Sequence, residues 1–357
     1  MSAGRILIAA SGTGGHLFPA LYIARAIQKL DPGVEIQFVG SGRPLEEKII
    51  GATGMGRHVI DIVGVNRRGF RGLFEFLGKF PRAFLQTWNL LSKFKPQVVV
   101  GVGGYASVLP VALAWLRGIP TWIHEAELSP GLANRFLGYL ATKSSTAFKD
   151  ARMPRPARAV FSGHPVRAEI LQVPKQIPEG SAITHLLILG GSQGAESLDR
   201  GFVQLHSLLK ELKLQIRHQA RQVNVDAVRA AYAGAGVSAT VSPFIEDMAE
   251  ALSWADLVVA RSGAGTLMEL SVVNRPVIFV PLPTRGIQQA ANAKVLEAQG
   301  KALVVEEGPE FARRLGAALR FLSTPQNFFE MQARPGEQKC VTAAQTIAQG
   351  VMEIARG

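Results

Sequence analysis

The chain has 357 residues, 47% of them hydrophobic and 18% charged. That is enough for two domains with real cores, and no stretch has a composition that marks disorder. A single cysteine, Cys340, excludes an internal disulfide framework and suits a reducing compartment. No Cys-x-x-Cys, His-Glu-x-x-His or Asp-x-Asp run supports a dedicated metal cage. The net charge of +12 is unevenly placed: residues 1–163 carry 20 Lys/Arg against 9 Asp/Glu, and residues 164–357 carry 19 against 18. The first part alone therefore asks for an anionic partner.

Arg5 to Ala10 is a short apolar run, suited to a buried parallel strand. Ser11 to Gly15 then turns the chain with three glycines, and from His16 an apolar face of Leu17, Ala20, Leu21, Ala24 and Ile27 has helical spacing. Strand, glycine turn and helix N-terminus together make an anion site, because the first N–H groups of a helix lack intrahelical acceptors. The initial residues lack the basic and long apolar regions of a secretory signal, so no leader is expected.

Val34 to Gly40 reads as a second strand and Pro44 to Ile50 as a helix start. Arg67 to Lys95 carries seven basic residues against one acid, with six of the eighteen phenylalanines and Trp88. Leu73, Leu77, Phe80, Phe84, Trp88 and Leu91 follow one helical face, leaving Phe70, Phe74 and Phe76 surplus, and Pro81 starts or kinks a helix. Basic residues beside excess aromatics favour an anionic membrane surface over nucleic acid, for which no reader motif is present. The same pattern also fits a core helix with a solvated rim.

Pro96 to Leu116 is uncharged and long enough to span a bilayer, but Gly101, Gly103, Gly104 and Pro110 interrupt it. Buried strand, glycine turn and covered helix fit better. Val98 to Ser107 thus repeats the first unit, and Leu186 to Ala195 repeats it again, which implies two similar α/β halves. None of the three is a full Gly-x-Gly-x-x-Gly, so a dinucleotide-binding reading is weak. Thr121 to His124 reads as a strand, Pro130 to Leu140 as a helix, and Pro154 to Arg167 as a linker. In the second half the predicted helices are 197–212, 225–233, 263–273, 287–297 and 342–355, with strands at 214–218, near 239, at 257–260 and at 276–280.

Arg261 to Glu269 (Arg-Ser-Gly-Ala-Gly-Thr-Leu-Met-Glu) puts backbone donors and Thr266 at a helix N-terminus with Glu269 one turn inside. A carboxylate there accepts two hydroxyls of a ribose diol, and a surface capping acid reads the same way. Gln288 and Gln289 carry amides that donate and accept, suited to sugar hydroxyls or to a polar helix start.

The set Gly12-Thr-Gly-Gly-His16, Gly101-Val-Gly-Gly-Tyr-Ala-Ser107, His124-Glu125, His164-Pro-Val-Arg167, Gly190-Gly-Ser-Gln-Gly194, Phe244-Ile245, Arg261-Ser-Gly-Ala264 with Glu269, and Gln288-Gln289 resembles the MurG-type glycosyltransferase family, in that family's order and from residue 5 to about residue 300. The resemblance implies an α/β fold of GT-B architecture, two Rossmann-like domains facing across a cleft. Residues 1–163 would form the acceptor and membrane-facing domain, 164–340 the UDP-sugar domain, and helix 341–357 would cross back to the first. It implies an inverting hexosyltransferase moving N-acetylglucosamine from UDP-N-acetylglucosamine to the 4-hydroxyl of the muramyl sugar of undecaprenyl-linked lipid I. The product would be lipid II for peptidoglycan, made peripherally at the cytoplasmic face of the bacterial cell membrane with no cofactor and no metal. The alternatives are another GT-B enzyme, such as a UDP-sugar epimerase or a transferase on a different lipid, or a non-catalytic nucleotide-sugar binder.

Carried over by position, Thr13, Gly14 and Gly15 face the donor diphosphate and sugar, and Arg167 and Ser192 hold phosphate. Ile245 would present backbone to uracil, Ala264, Gly265 and Thr266 would line the diphosphate and sugar, and Glu269 would take the ribose. Gln289 and Gln288 take sugar hydroxyls, while His16, Tyr105 and Glu125 lie on the acceptor side. His16 is the first choice as general base because an unperturbed imidazole titrates near neutrality, and Glu125 is the second. The family usually reads His-Glu-Gln-Asn where this chain has His-Glu-Ala-Glu127, and Asn-Pro-Val-Arg where it has His164; Asn134 is retained. Both changes are expected to bear on the sugar more than on UDP.

Overall fold

The computed structural model describes residues 4–62, 69–174, 183–191, 194–283 and 288–356, residues 69–77 by backbone alone. The chain divides into two units, residues 1–166 with 338–357, and residues 167–337.

The first unit holds a seven-stranded sheet of β1 (Arg5–Ala9), β2 (Glu35–Gly40), β3 (Gly56–Val59), β4 (Val98–Gly101), β5 (Thr121–Glu125), β6 (Lys143–Thr146) and β7 (Ala159–Phe161). The order is β3-β2-β1-β4-β5-β6-β7 and every pairing is parallel. Strands β4 and β5 are buried along their whole length, as parallel strands covered on both faces must be. The helices are α1 (Gly14–Leu30), α2 (Pro44–Ile50), α3 (Gly69–Phe94), α4 (Val108–Leu116) and α5 (Leu132–Leu140).

The second unit repeats the plan with β8 (His185–Leu189), β9 (Gln215–Gln219), β10 (Ala239–Ser242), β11 (Leu257–Ala260), β12 (Val277–Phe279) and β13 (Leu303–Val304), ordered β10-β9-β8-β11-β12-β13 and again parallel. Its helices are α6 (Glu196–Gln204), α7 (His206–Glu211), α8 (Val225–Ala235), α9 (Met248–Trp254), α10 (Ala264–Val273), α11 (Gln289–Ala298), α12 (Phe311–Leu322) and α13 (Pro325–Gln332). The last helix, α14 (Lys339–Arg356), returns to the first unit and lays Ile347, Ala348, Val351 and Met352 into the core formed by β1, β4 and the apolar face of α1.

Three sequence expectations change. The run read as a linker carries β7, which pairs with β6 from Ser144↔Ala159 to Thr146↔Phe161. The helix expected over 197–212 is two, α6 and α7, meeting at Leu205. α3 runs through Pro81 as one helix, and its buried side is Ala83, Thr87, Leu90, Leu91 and Phe94 rather than the aromatic line. Phe80, Phe84 and Trp88 instead form a ladder with ring centroids 6.3 and 6.0 Å apart, and Phe80 and Trp88 stay exposed.

Helix α14 approaches the sheet at Gly350, where a methyl group would lie 2.4 Å from Trp122 Cη2. Trp122 cannot easily yield, because it is 2% exposed and its Nε1 donates to Ser145 Oγ at 2.9 Å. Gly350→Ala should therefore destabilise the first unit by about 1–3 kcal/mol through overpacking, despite alanine's better helix propensity. Urea unfolding of the full chain measures this; an unchanged midpoint would mean that the close approach does not exist.

Candidate active site

In each sheet the chain leaves a central strand in opposite directions, at β1/β4 and at β8/β11. Open parallel sheets bind ligands outside the strand carboxyl ends at such switch points. At β1/β4 the two turns meet. Gly12, Gly103 and Gly104 have φ of 98°, 90° and 80°, a region that a side chain disfavours. Thr13 is the N-cap of α1 without a side-chain cap bond, and its carbonyl takes the N–H groups of His16 and Leu17. The N–H groups of Gly14 and Gly15 have no acceptor within the helix and suit an anionic oxygen. Glu46, 2% exposed, secures the turn by accepting from Gly12 N–H (3.3 Å), Ser41 Oγ (2.8 Å) and Gly42 N–H (2.8 Å). Nothing in its local sequence distinguishes it from an ordinary first-turn helix acid.

The His16 ring lies against Gly103, where a methyl group would come within 2.8 Å of Cδ2 and 3.1 Å of Nε2. Its Nδ1 is enclosed. Burial lowers its pKa against the opposing effect of the Ser11 backbone, so the imidazole is the free base at neutral pH. His16 thus departs from the unperturbed titration expected of it, in the direction that keeps it a proton acceptor. Tyr105 is half-buried with the Arg43 guanidinium 5.6 Å above its ring.

His124 and Glu125 end β5. His124 Nδ1 is 3.0 Å from Ser145 Oγ and its Nε2 is 3.1 Å from Nδ1 of His164, with the two rings stacked at 5.3 Å. Burial, and then the neighbouring imidazoles, hold His124 well below the usual range and push His164 down to about 3. Glu125 is 4% exposed; Oε1 accepts from Glu127 N–H (2.9 Å), and Oε2 from Asn134 Nδ2 (2.9 Å) and Gly131 N–H (3.3 Å). Burial outweighs these bonds and, with the nearby Glu127 charge, raises Glu125 to about 7. Asn134 is 3% exposed and also donates to the His124 carbonyl at 3.0 Å. Asn134 and His164 are both buried at the end of β5, Asn134 bonding the His124 carbonyl and the Glu125 carboxylate.

In the second unit α10 starts at Ala264 behind an extended Gly263, and Ala264, Gly265 and Thr266 supply N–H groups without helical acceptors. Ala264 is buried and Thr266 half-buried. The sequence assigned Arg167 to phosphate and Glu269 to ribose; the structure brings them together, Nε to Oε1 and Nη2 to Oε2, both at 2.7 Å. A carboxylate has about four lone-pair sites, so this fork leaves Glu269 acceptor capacity for a diol. Gln289 Oε1 is committed to Leu282 N–H at 3.0 Å, and its carbonyl accepts from Ser262 Oγ at 3.1 Å. Its amide therefore offers Nε2 as a donor rather than both functions. Gln288 is the N-cap of α11 and half-buried, Ile245 is half-buried beyond β10, and Ser192 lies outside the described residues. Among the described residues, no group of three or more His, Cys, Asp or Glu side chains is placed to hold a metal ion.

Two outcomes follow from the two carboxylates. Glu125 has a folded pKa above its ordinary value, so the folded chain binds the extra proton and stability falls as pH rises from about 4.5 to about 7. Glu125→Gln should remove that pH-dependent fall, of order 3 kcal/mol, in unfolding curves taken at pH 5 and pH 8. Parallel pH dependence in the two proteins would place the proton elsewhere. Glu269→Gln keeps the shape but loses the charge and one acceptor. With charge-assisted bonds contributing about 1.5–3 kcal/mol, UDP affinity by calorimetry should fall at least about tenfold. Unchanged affinity would remove Glu269 from the nucleotide site.

Comparison with known proteins identifies the family. The family model for the glycosyltransferase family 28 N-terminal domain matches residues 6–146, and that for its C-terminal domain matches residues 185–347. The chain is 36% identical to the UDP-N-acetylglucosamine–N-acetylmuramyl-(pentapeptide) pyrophosphoryl-undecaprenol N-acetylglucosamine transferase of Anaeromyxobacter sp. (strain K), over 99% of this chain and 93% of that protein. It is 36% identical to the protein of the same name from Acidithiobacillus ferrooxidans, over 99% of each. The crystal structure of Acinetobacter baumannii MurG superimposes with a TM-score of 0.80 at 30% identity, covering 98% of this chain and 99% of that one. The chain belongs to glycosyltransferase family 28, among the MurG-type enzymes.

Proposed function

We propose that the chain transfers N-acetylglucosamine from UDP-N-acetylglucosamine to the 4-hydroxyl of the muramyl sugar of lipid I, making lipid II. The observation that carries this reading is the near-full-length identity to transferases of that name. The donor is assigned to the second unit: the α10 N-terminus and Arg167 face the diphosphate, Glu269 the ribose and Gln289 Nε2 the sugar. The acceptor is assigned to the first unit. The acceptor oxygen attacks the anomeric carbon opposite UDP, the carbon–oxygen bond to UDP breaks, and its electron pair leaves on the phosphate. Helix N-terminal N–H groups and Arg167 stabilise that charge as it grows. The hydroxyl proton goes to a base, His16 first because its ring is neutral and at the switch point, with Glu125 second because it is buried under its three N–H donors. Incubation with UDP-N-acetylglucosamine and a lipid I analogue should give a β-1,4-linked product; UDP release without acceptor, or epimerised sugar, would overturn the reading.

The substrate also implies a peripheral place on the cytoplasmic face of the membrane, and no helix of the described residues is long and apolar enough to cross one. The expected stripe is redrawn by the structure. Arg67 and Arg68 lie outside the described residues, as do the side chains of Phe70, Arg71, Phe74 and Phe76. Lys79 and Arg82 both pair with Asp61, at 3.1 and 3.7 Å, so part of their charge is already balanced. What supports a membrane face is the exposed Phe80, Leu85 and Trp88 of α3 with Trp115 and Leu116 of α4; Arg117 stacks 4.8 Å over Trp88. Apolar insertion resists salt, whereas basic attraction does not. Changing Trp88, Trp115 and Leu116 to Ser should abolish the salt-resistant part of pelleting with anionic vesicles while turnover of a water-soluble acceptor survives. Full pelleting of that variant in high salt would remove this face from the membrane.

A further inference from the structure

An arginine opening an anion-binding turn invites assignment as a phosphate ligand. Arg261 stands in that place, one residue past β11. Its side chain is only 12% exposed, and its guanidinium points into a closed set of partners. Nη1 is 2.6 Å from Glu307 Oε1 and donates to the carbonyls of Val280 (3.1 Å) and Pro281 (3.2 Å). Nη2 donates to Ser197 Oγ at 3.0 Å, and Ser197 Oγ donates to the same Glu307 Oε1 at 2.5 Å.

These bonds join four segments. Ser197 belongs to the helix after β8, Arg261 follows β11, Val280 and Pro281 follow β12, and Glu307 follows β13. The Arg261 backbone N–H also reaches the last residue of β8, Leu189, at 3.1 Å. Its aliphatic stem floors the first glycine turn, since a methyl group at Gly191 would lie 4.0 Å from its Cβ and Cγ. Ordering glycine-rich backbone costs conformational entropy, and a side chain bonded to several segments offsets it. Glu307 also neutralises Arg261, so the cation is already matched before any ligand arrives.

We propose that Glu307 is a positioning residue of the donor site. It holds Arg261, and through Arg261 it ties Ser197, Val280 and Pro281 to the residue that opens the turn before α10, so that the N–H groups opening α10 meet the donor diphosphate, while Arg261 itself makes no phosphate contact. This rests on assigning the donor to the second unit.

The test measures UDP affinity by calorimetry, KM for donor and for a soluble acceptor, and kcat, on Glu307→Gln, Arg261→Met and the double variant. Glu307→Gln should weaken UDP and raise donor KM roughly tenfold while acceptor KM stays within about twofold. The double variant should be no worse than Arg261→Met alone, because both act through one contact. Ser197→Ala, which removes the bridging hydroxyl with little change in packing, should shift donor KM in the same direction by less, and serves if Glu307→Gln fails to fold. Tighter UDP binding in Glu307→Gln would overturn the proposal by showing that a released Arg261 is a phosphate ligand. Unchanged donor KM, or equal shifts in donor and acceptor KM, would reduce the pair to general stability. A wild-type chain that neither binds UDP nor turns over would overturn the donor assignment itself, and this inference with it.

Discussion

Glycine turns make good anion sites because they expose backbone N–H groups, and poor scaffolds because little holds them. In this chain several of the turns and loops beyond the strands are tied by a buried or half-buried carboxylate. Glu46 takes the Gly12 N–H, Glu125 takes those of Glu127 and Gly131, and Glu307 takes Arg261 and Ser197. Asp199, 2% exposed in α6, does the same for the turn after β9, accepting from Arg221 N–H at 3.2 Å and Asn224 Nδ2 at 2.7 Å. Each carboxylate accepts from donors on the segment it fixes, so its charge is balanced locally by N–H dipoles or a cation rather than left to repel a phosphate. The arrangement separates two tasks that a loop cannot combine: glycine supplies the exposed N–H groups, and a distant acid supplies the rigidity.

The electrostatics of the first unit follow the same logic. An anion site lined with permanently charged histidines would bind tightly but could not accept a proton. Burial instead keeps His16, His124 and His164 neutral, with His16 discouraging charge on the other two and His164 on His124. Glu125, at the same edge, is instead brought close to neutrality, raised to about 7. The Lys and Arg counted in the first 163 residues lie away from these histidines, Arg82 for one being largely exposed beside Asp61.

Much of this was legible in the sequence because it is local. A strand, a glycine turn and a helix start fit within about fifteen residues, and each repeat of that unit falls at a switch point. What was illegible depends on distance along the chain. Arg167 and Glu269 are 102 residues apart, and each was assigned separately to the ligand, although they form one fork. Ser197 and Glu307, 110 residues apart, carry no motif at all. The strand β7 was hidden by flanking prolines and glycine that read as a linker. The aromatic ladder of α3 was misplaced because helical spacing fixes which residues share a face, not whether that face points to the core.

The two departures from the family's usual residues show the same limit from the other side. Read one at a time, Glu127 and His164 were expected to alter sugar contacts. In the fold His164 is buried, 1% exposed, and contacts His124 through Nδ1. Glu127 gives its backbone N–H to Glu125 while its charge raises the Glu125 pKa. Both substitutions therefore converge on the carboxyl end of β5, one stacking against the ring beside Glu125 and the other adding negative charge next to it. A carboxylate in that position binds a proton more readily than it would beside the usual asparagine, since an amide carries no charge to oppose ionisation. In this fold both residues therefore act first on the protonation of the carboxyl end of β5.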